Sequence, residues 1–107
     1  MHFVEKWYYV YIMDKQVQDA LIGITSKLHL RIFQHKTGAF KGFTSNYNRL
    51  VYWEQFKNVN RAIAREKQLK GWRRIKKIQL IVSMNPTWND LASEWYPAKY
   101  IGPSTRP

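Results

Sequence analysis

The fold is decided by the stretch WYYVYIM at residues 7–13, an aromatic and β-branched run that polar residues 14–16 bring to an end. A run of this length and composition is typical of a buried β-strand. The next apolar run, ALIGIT at residues 20–25, predicts its partner, and the short polar connector suits an antiparallel hairpin. Gly23 within that second strand predicts a β-bulge, or a place where another backbone or a ligand comes close.

Beyond the hairpin, helix-end signals predict a helix over residues 27–36. Ser26 is a good N-cap residue and Gly38 stands where a left-handed C-cap would lie. Residues 37–48 then form a loop. The sequence LVYWEQF at residues 50–56 predicts a third strand.

Two more helices are predicted in the second half of the chain. Asn58 is suited to cap a helix over residues 59–70, with Gly71 as its terminator, and a further helix over residues 72–84 stops before Pro86. The apolar stripe expected to face the core in this last helix comprises Trp72, Ile75, Ile78 and Val82. The basic residues expected to face the other way are Arg73, Arg74, Lys76 and Lys77.

The last part of the chain holds a short helical turn and a tail. The turn is expected over residues 88–95, with Thr87 as its cap and Asp90 in its first turn. Residues 97–107, which are rich in proline, are expected to be extended or disordered, so residues 1–96 form one domain. The order of elements, β-β-α-β-α-α, predicts a small α/β domain whose helices cover the sheet.

Composition points to a polyanionic partner. The 107 residues are 45% apolar and 16% aromatic, which is enough to fold, and 18 Lys and Arg against 7 Asp and Glu give a net charge of +11. DNA or RNA is favoured over an anionic membrane, because the aromatic residues are needed for a core. The absence of cysteine and of a signal-peptide or membrane-spanning pattern leads us to expect a cytoplasmic, nucleoid-associated protein.

Glu66 is the most informative polar residue. On the predicted helix it lies between Ala62 and Leu69 on one side and Ile63 on the other, within the apolar stripe. A carboxylate turned toward a core needs a partner. That partner is either a metal ion or a basic residue such as Arg31 or a neighbouring lysine, and spacing alone leaves both open.

Three further residues have side chains suited to phosphate chemistry. Arg31 and His35 project from one face of the first predicted helix, where the arginine can clamp a phosphate and the histidine can move a proton. A solvated basic helix accounts for the same spacing. Tyr11, in the first strand, is either a core residue or a site hydroxyl. The loop residues Lys41, Thr44 and Tyr47 are candidate contacts to a nucleic-acid backbone, with a solvated loop as the alternative.

Taken in chain order, YVY at residues 9–11, LIG at residues 21–23, Arg31 with His35, and Glu66 resemble the motifs of the GIY-YIG nuclease family. The most specific part of the likeness is AIAREKQLKGWRR at residues 62–74, followed by NPTW at residues 85–88. The likeness covers most of the chain. It is to the small stand-alone bacterial members, which resemble the catalytic domain of the excision-repair nuclease subunit and of certain homing endonucleases.

The resemblance implies a three-stranded antiparallel sheet flanked by helices and assigns a role to each site residue. Glu66 would be the single carboxylate ligand of Mg²⁺ or Mn²⁺, and Arg31 would stabilise the phosphate. His35 would support proton transfer, and Tyr11 would position or deprotonate the attacking water. Asn85 corresponds to an asparagine late in the family pattern.

A single metal ion is favoured over two. A two-metal site needs several converging carboxylates, and the other acidic residues considered are expected in turns or beyond the core. They are Asp14, Asp19, Asp90 and Glu94. Magnesium held by one carboxylate completes its shell with waters and substrate oxygens, so Glu66 suffices. No small-molecule cofactor is expected.

Leu21 departs from the family pattern, because the second signature begins with a tyrosine and leucine cannot hydrogen-bond water. The chain is therefore expected to be a DNA endonuclease acting in repair or processing, with branched or damaged DNA as its expected substrate. The alternative is a binding module with weak or lost catalysis. Two non-enzymatic alternatives share its charge. One is a helix-turn-helix-like binder built on residues 61–77, and the other is a structural protein associated with RNA or the ribosome.

Overall fold

The structure, a computed structural model, describes residues 6–15, 20–38 and 47–97. Within these ranges the secondary-structure elements follow the predicted order. They are β1 (Tyr8–Asp14), β2 (Ala20–Thr25), α1 (Leu28–Lys36), β3 (Arg49–Phe56), α2 (Val59–Gly71) and α3 (Arg74–Met84). The expected tail lies outside the described residues, apart from its first residue.

The three strands form one antiparallel sheet in the order β2-β1-β3, so the aromatic first strand lies in the middle. The β1–β2 pairing runs without interruption from Tyr9 opposite Thr25 to Asp14 opposite Ala20. Helices flank this sheet, which confirms the predicted α/β (α+β) class.

A β-bulge is present, but it is on β3 and not at Gly23. Between Ile12 and Met13 the partner on β3 changes from Tyr52 to Leu50, which leaves Val51 as the extra residue. The bulge gives Val51 and Tyr52, although consecutive, a place in the same apolar cluster. Gly23 has a different role, described below.

Each face of the sheet packs against its own helices. The face covered by α1, here called the α1 face, has a buried cluster of Tyr11, Met13, Leu28, Ile32, Tyr47, Leu50 and Ala92. The opposite α2 face has a buried cluster of Val10, Ile12, Ile22, Val51, Tyr52, Ala62, Leu69 and Ile81. Successive side chains of β1 point to opposite faces of the sheet, so this strand contributes residues to both clusters.

Two helix caps are as predicted and one is not. The Asn58 side chain accepts hydrogen bonds from the N–H groups of residues 60 and 61 at 2.8 and 3.1 Å, and Gly38 adopts a φ of +73°. Ser26 is not the N-cap of α1. The helix begins at Leu28, and the Thr25 hydroxyl instead accepts a hydrogen bond from the Lys27 N–H at 3.0 Å.

The junction between α2 and α3 also differs from the prediction. Gly71 is the last residue of α2, and the helix ends because Trp72 is extended, with its N–H bonded to the Leu69 carbonyl at 3.1 Å. Arg73 is extended as well, so α3 begins at Arg74 and not at Trp72.

The predicted inward face of α3 is only partly correct. Trp72 packs against the α2-face cluster and Ile78 is partly buried, but the other two residues of the stripe are exposed. Ile81 is the fully buried residue of this helix, whereas Ile75 is 60% and Val82 is 39% exposed. Lys77, expected to point away from the core, is half-buried because it lies one turn before Ile81. Residues 80–82, LIV, are three consecutive apolar residues that point to different sides of the helix. The sequence pattern therefore could not show which of them faces the core.

The segment after α3 contains a shorter helical turn than predicted, over residues 91–94. Trp88 has a φ of +54°, which excludes it from a helix. Thr87 is not the cap. Asp90 is, since its side chain accepts a hydrogen bond from the Ala92 N–H at 3.0 Å.

This segment also covers the edge of β3. The Leu91 N–H donates to the Leu50 carbonyl at 2.7 Å, and the Leu50 N–H donates to Asp90 Oδ1 at 3.0 Å. The other Asp90 oxygen binds the Lys36 ammonium on α1. Asp90 therefore joins α1 to β3.

Asp14 was expected in a turn and is instead the fully buried last residue of β1. Arg49 donates to both of its carboxylate oxygens at 2.8 Å. Burial raises the pKa of Asp14, and the Arg49 guanidinium partly offsets this. The Asp14 carboxylate is thus committed to a structural ion pair.

Candidate active site

Tyr11 is the centre of the candidate site. It lies in the middle strand on the α1 face and is only 2% exposed. Gly23 is directly opposite it on β2. A Cβ built at residue 23 would lie 2.8 Å from Tyr11 Cε1 and still closer to Cζ and Oη. Gly23 is therefore needed because the tyrosine ring lies across it, and the close approach predicted there is made by a side chain.

Two residues of α1 reach the Tyr11 hydroxyl. His35 Nε2 is 3.2 Å from Oη, the two rings meet edge to face with centroids 5.8 Å apart, and His35 is 4% exposed. Arg31, one helical turn earlier, interacts with the hydroxyl through its charge and a hydrogen bond. The helix thus places a guanidinium and an imidazole on one phenol.

The environment of Tyr11 keeps its hydroxyl protonated. Burial raises the pKa of Tyr11, the Arg31 guanidinium partly offsets this, and the Glu66 carboxylate raises the pKa further. A neutral phenol can donate one hydrogen bond and accept others, but it cannot take up a proton unless it passes its own to a neighbour. His35 is the neighbour within reach.

Glu66, on α2, acts on Tyr11 through its charge, and its side chain is 17% exposed. The apolar stripe in which Glu66 was expected is narrower than predicted, because Ala62 and Leu69 are fully buried whereas Ile63 is 37% exposed. Glu66 therefore lies at the edge of the buried face.

Among the described residues, Lys70 forms an ion pair with Glu66, and it is one of the neighbouring lysines expected from the sequence. The Lys70 ammonium lies 3.2 Å from Glu66 Oε2, one helical turn away, and the lysine side chain is 55% exposed. An ion pair so open to water contributes little stability. The i,i+4 spacing was visible in the sequence, although it did not distinguish Lys70 from other lysines.

The donor set at this place fits a single divalent ion. Within the described ranges, no three His, Cys, Asp or Glu side chains are grouped closely enough to hold a metal ion by themselves. Glu66 offers one partly exposed carboxylate, and Mg²⁺ can bind through a single carboxylate when waters and substrate oxygens complete its shell. Asp14 and Asp90 are occupied by basic and backbone partners.

Leu21 lies on the same face as Tyr11. It is paired with Met13 and is partly buried against the Tyr11 cluster. Leu21 and Gly23 are two residues apart on β2 and therefore lie on the same face of the sheet. The leucine side chain is thus next to Gly23, over which the Tyr11 ring lies. An alkyl group there contributes packing and no hydrogen bond.

The remaining candidates lie elsewhere or outside the described residues. Lys41 and Thr44 are not among the described residues. Tyr47 is 3% exposed in the α1-face core, with the Lys15 ammonium 5.0 Å from its ring centre. Asn85 is buried, and its amide donates to the Val51 and Asn89 carbonyls at 3.1 and 2.9 Å. It thereby satisfies the carbonyl of the bulge residue.

The basic cluster at the start of α3 is on the helix that covers the α2 face. Arg73, Arg74 and Lys76 are exposed. The Lys76 ammonium lies 4.3 Å from the Trp72 ring centre, and the Arg65 guanidinium lies 5.2 Å from it. None of the described helices is long and apolar enough to cross a membrane.

Known proteins with similar sequence or structure agree with this architecture. Residues 7–79 match the family model of the GIY-YIG catalytic domain. A UPF0213 protein of Clostridium perfringens is 36% identical over 77 residues, covering 70% of this chain and 83% of that protein. A UPF0213 protein of Haloquadratum walsbyi is 30% identical over 76 residues, covering 69% and 85%.

A solved structure adds a match in three dimensions. The solution NMR structure of a UPF0213 protein of Bacillus halodurans has a TM-score of 0.53 at 25% identity, covering 82% of this chain and 97% of that one. Together with the sequence match, it indicates a small stand-alone member. The chain belongs to the GIY-YIG family of nuclease domains.

Proposed function

We propose that this protein is a divalent-metal-dependent endonuclease that hydrolyses DNA phosphodiester bonds in DNA repair or processing. The observation that supports it most is the meeting of Arg31 and His35 on the buried Tyr11 hydroxyl, on which the Glu66 charge also acts. Phosphodiester hydrolysis needs charge stabilisation at the phosphate and a route for a proton, and these side chains are of the kinds that provide both. Since its substrate would be DNA, we propose a cytoplasmic location in association with the nucleoid.

Each residue has a distinct part in this proposal. Arg31 offsets negative charge on the phosphate, as a guanidinium does in a bidentate pair. Tyr11 orients the attacking water and passes its own proton to His35 as it takes one from the water. Glu66 would hold Mg²⁺ or Mn²⁺ in place of its ion pair with Lys70, and that ion would supply Lewis-acid stabilisation of the phosphate oxygens.

The charge of the chain supports a DNA substrate. A net charge of +11 attracts the phosphate backbone without regard to sequence and makes binding sensitive to salt. The exposed residues Arg73, Arg74 and Lys76 are candidates for backbone contacts outside the site. Branched or damaged DNA is the substrate we propose to test first.

Leu21 favours one second candidate, a nucleic-acid-binding module with weak catalysis. The family tyrosine is replaced by a partly buried leucine, so any contribution of that hydroxyl is lost. Binding to the nucleic-acid backbone depends on charge and does not require the tyrosine hydroxyl.

The test is a cleavage assay on duplex, flapped, branched and single-stranded DNA with Mg²⁺ or Mn²⁺. Wild-type protein is expected to nick at least one substrate, and Glu66→Gln to abolish cutting while salt-sensitive binding remains. Glu94→Gln, which removes an exposed carboxylate from the 91–94 turn, is the matched control and should cut like wild type. The enzymatic proposal fails if wild type cuts no substrate or if Glu66→Gln cuts equally well.

A further inference from the structure

A cavity of about 310 Å³ opens on the α1 face of the sheet, and the proposed mechanism does not use it. Its walls include Tyr9, Trp53 and Trp95, together with the first residues of α1, and we call it the aromatic cavity. Its volume lies within the range of small-molecule sites.

The aromatic cavity adjoins the candidate active site. Tyr9 and Tyr11 are alternate residues of β1 and point to the same face, so they are about 7 Å apart along the strand. The first three residues of α1 line the cavity, and Arg31 and His35, which follow on the same helix, reach Tyr11. A single nucleotide can therefore extend from one place to the other.

The aromatic side chains of the cavity are held by one another. The Tyr9 and Trp53 rings meet edge to face across β1 and β3, at 5.8 Å and 62°. His29 stacks on Trp95 at 4.2 Å and 30°. Trp53 nevertheless remains 37% exposed, which leaves ring surface available to a flat ligand.

The polar lining of the cavity is neutral or basic. Lys27, Ser26 and Gln55 contribute to it, and no acidic residue is among the described residues that line it. Aromatic rings beside a cation match a nucleotide, whose base presents a π-face and whose phosphate is negative.

We propose that the aromatic cavity binds one unstacked nucleobase of the nucleic-acid substrate, adjacent to the phosphate held at Tyr11. The proposal rests on the proposed function and specifies its substrate. A base in an intact duplex is stacked and paired, so it cannot enter a protein cavity without being extruded. The preferred substrate is therefore single-stranded or has an unpaired nucleotide beside the cut.

The experiment compares binding of a short single-stranded oligonucleotide with binding of its fully paired duplex, without divalent metal. Trp53→Ala is expected to weaken single-strand binding about 10-fold, since stacking contributes about 1–3 kcal/mol per base, and to change duplex binding less than 2-fold. Trp53→Phe should restore single-strand binding. Trp7→Ala, at a partly buried tryptophan outside the cavity, is the matched control.

A measurement on wild-type protein avoids any effect of substitution on folding. An oligonucleotide with abasic nucleotides should bind about 10-fold more weakly than the same oligonucleotide with bases. The proposal is overturned if abasic and normal strands bind equally, or if Trp53→Ala weakens duplex and single-strand binding alike. Base-dependent binding without cutting of any substrate would instead reject the nuclease proposal and leave the base site standing.

Discussion

The ring of Tyr11 lies directly over Gly23 of the neighbouring strand, at a distance that leaves no room for a Cβ. The glycine sets the position of the hydroxyl that meets Arg31 and His35. Substitutions at residue 23 therefore act on the candidate site through Tyr11.

Gly23→Ala should displace the Tyr11 ring, because the new methyl group would overlap Cζ and Oη. We expect a loss of about 1–3 kcal/mol in the free energy of unfolding, as for overpacked cores, and a fall in cleavage rate of about 100-fold. Urea unfolding and a cleavage assay measure the two effects. Gly71→Ala, where a Cβ meets nothing within 4 Å, is the control and should leave the cleavage rate unchanged without lowering the free energy of unfolding. Wild-type values for Gly23→Ala would disprove the steric account.

Leu21→Tyr should raise the cleavage rate, because it returns a hydroxyl to the face that carries Tyr11. A positioned proton-transfer group contributes roughly 10²–10⁴-fold, and we expect about 100-fold in a site not evolved around it. Single-turnover cleavage is the measurement. Leu21→Phe, which adds the ring without the hydroxyl, separates the chemical effect from packing. Equal rates for the two variants would show that the hydroxyl at residue 21 contributes nothing.

Asn85→Asp should destabilise the fold by about 2–4 kcal/mol. The buried amide donates to the Val51 and Asn89 carbonyls, and a carboxylate there would be an unpaired charge facing acceptors. Thermal and urea unfolding report the change. Asn60→Asp, on the exposed first turn of α2, is the control and should be neutral or slightly stabilising. If both variants unfold alike, Asn85 does not hold the bulge.

The stability of the protein should fall between pH 10 and pH 12. Burial, with the Glu54 carboxylate, raises the pKa of Tyr52 from 10.0 to about 12. An acid with a raised folded-state pKa gives stability that is complete below its unfolded pKa and is lost as pH rises toward the folded value. Tyr52→Phe should therefore lose less stability between pH 8 and pH 12, by up to about 2 kcal/mol. Parallel urea titrations of wild type and variant at the two pH values make the comparison; an identical pH dependence would contradict it.

The elements with local signals could be predicted from the sequence. The WYYVYIM and ALIGIT runs specify the hairpin. Asn58 marks the start of α2 because its side chain caps the helix, and Gly38 marks the end of α1 because it adopts a positive φ. In the candidate site, the spacing of Arg31 and His35 on α1 is enough to place them on one face. The resemblance to the GIY-YIG motifs then predicted that these two residues share a site with Tyr11 and Glu66.

The features that depend on tertiary packing could not be predicted. The rotation of α3 depends on the sheet surface that receives Ile81, and the apolar run at residues 80–82 allows several rotations. The sequence around Asp14 is typical of a turn. Its buried position depends on the ion pair with Arg49, which is distant in sequence and is brought opposite Asp14 by the pairing of β1 and β3. The bulge at Val51 and the aromatic cavity likewise exist only when distant segments meet.

The segment that carries Asp90 and Leu91 has a consequence for how the chain is made. It covers the outer edge of β3 and, through the Lys36 ammonium, fastens α1, the helix that supplies Arg31 and His35. During synthesis on the ribosome, residues 49–56 emerge long before residues 90 and 91, so the nascent chain has an open strand edge in the meantime. The site can therefore reach its final form only after nearly the whole domain has been translated.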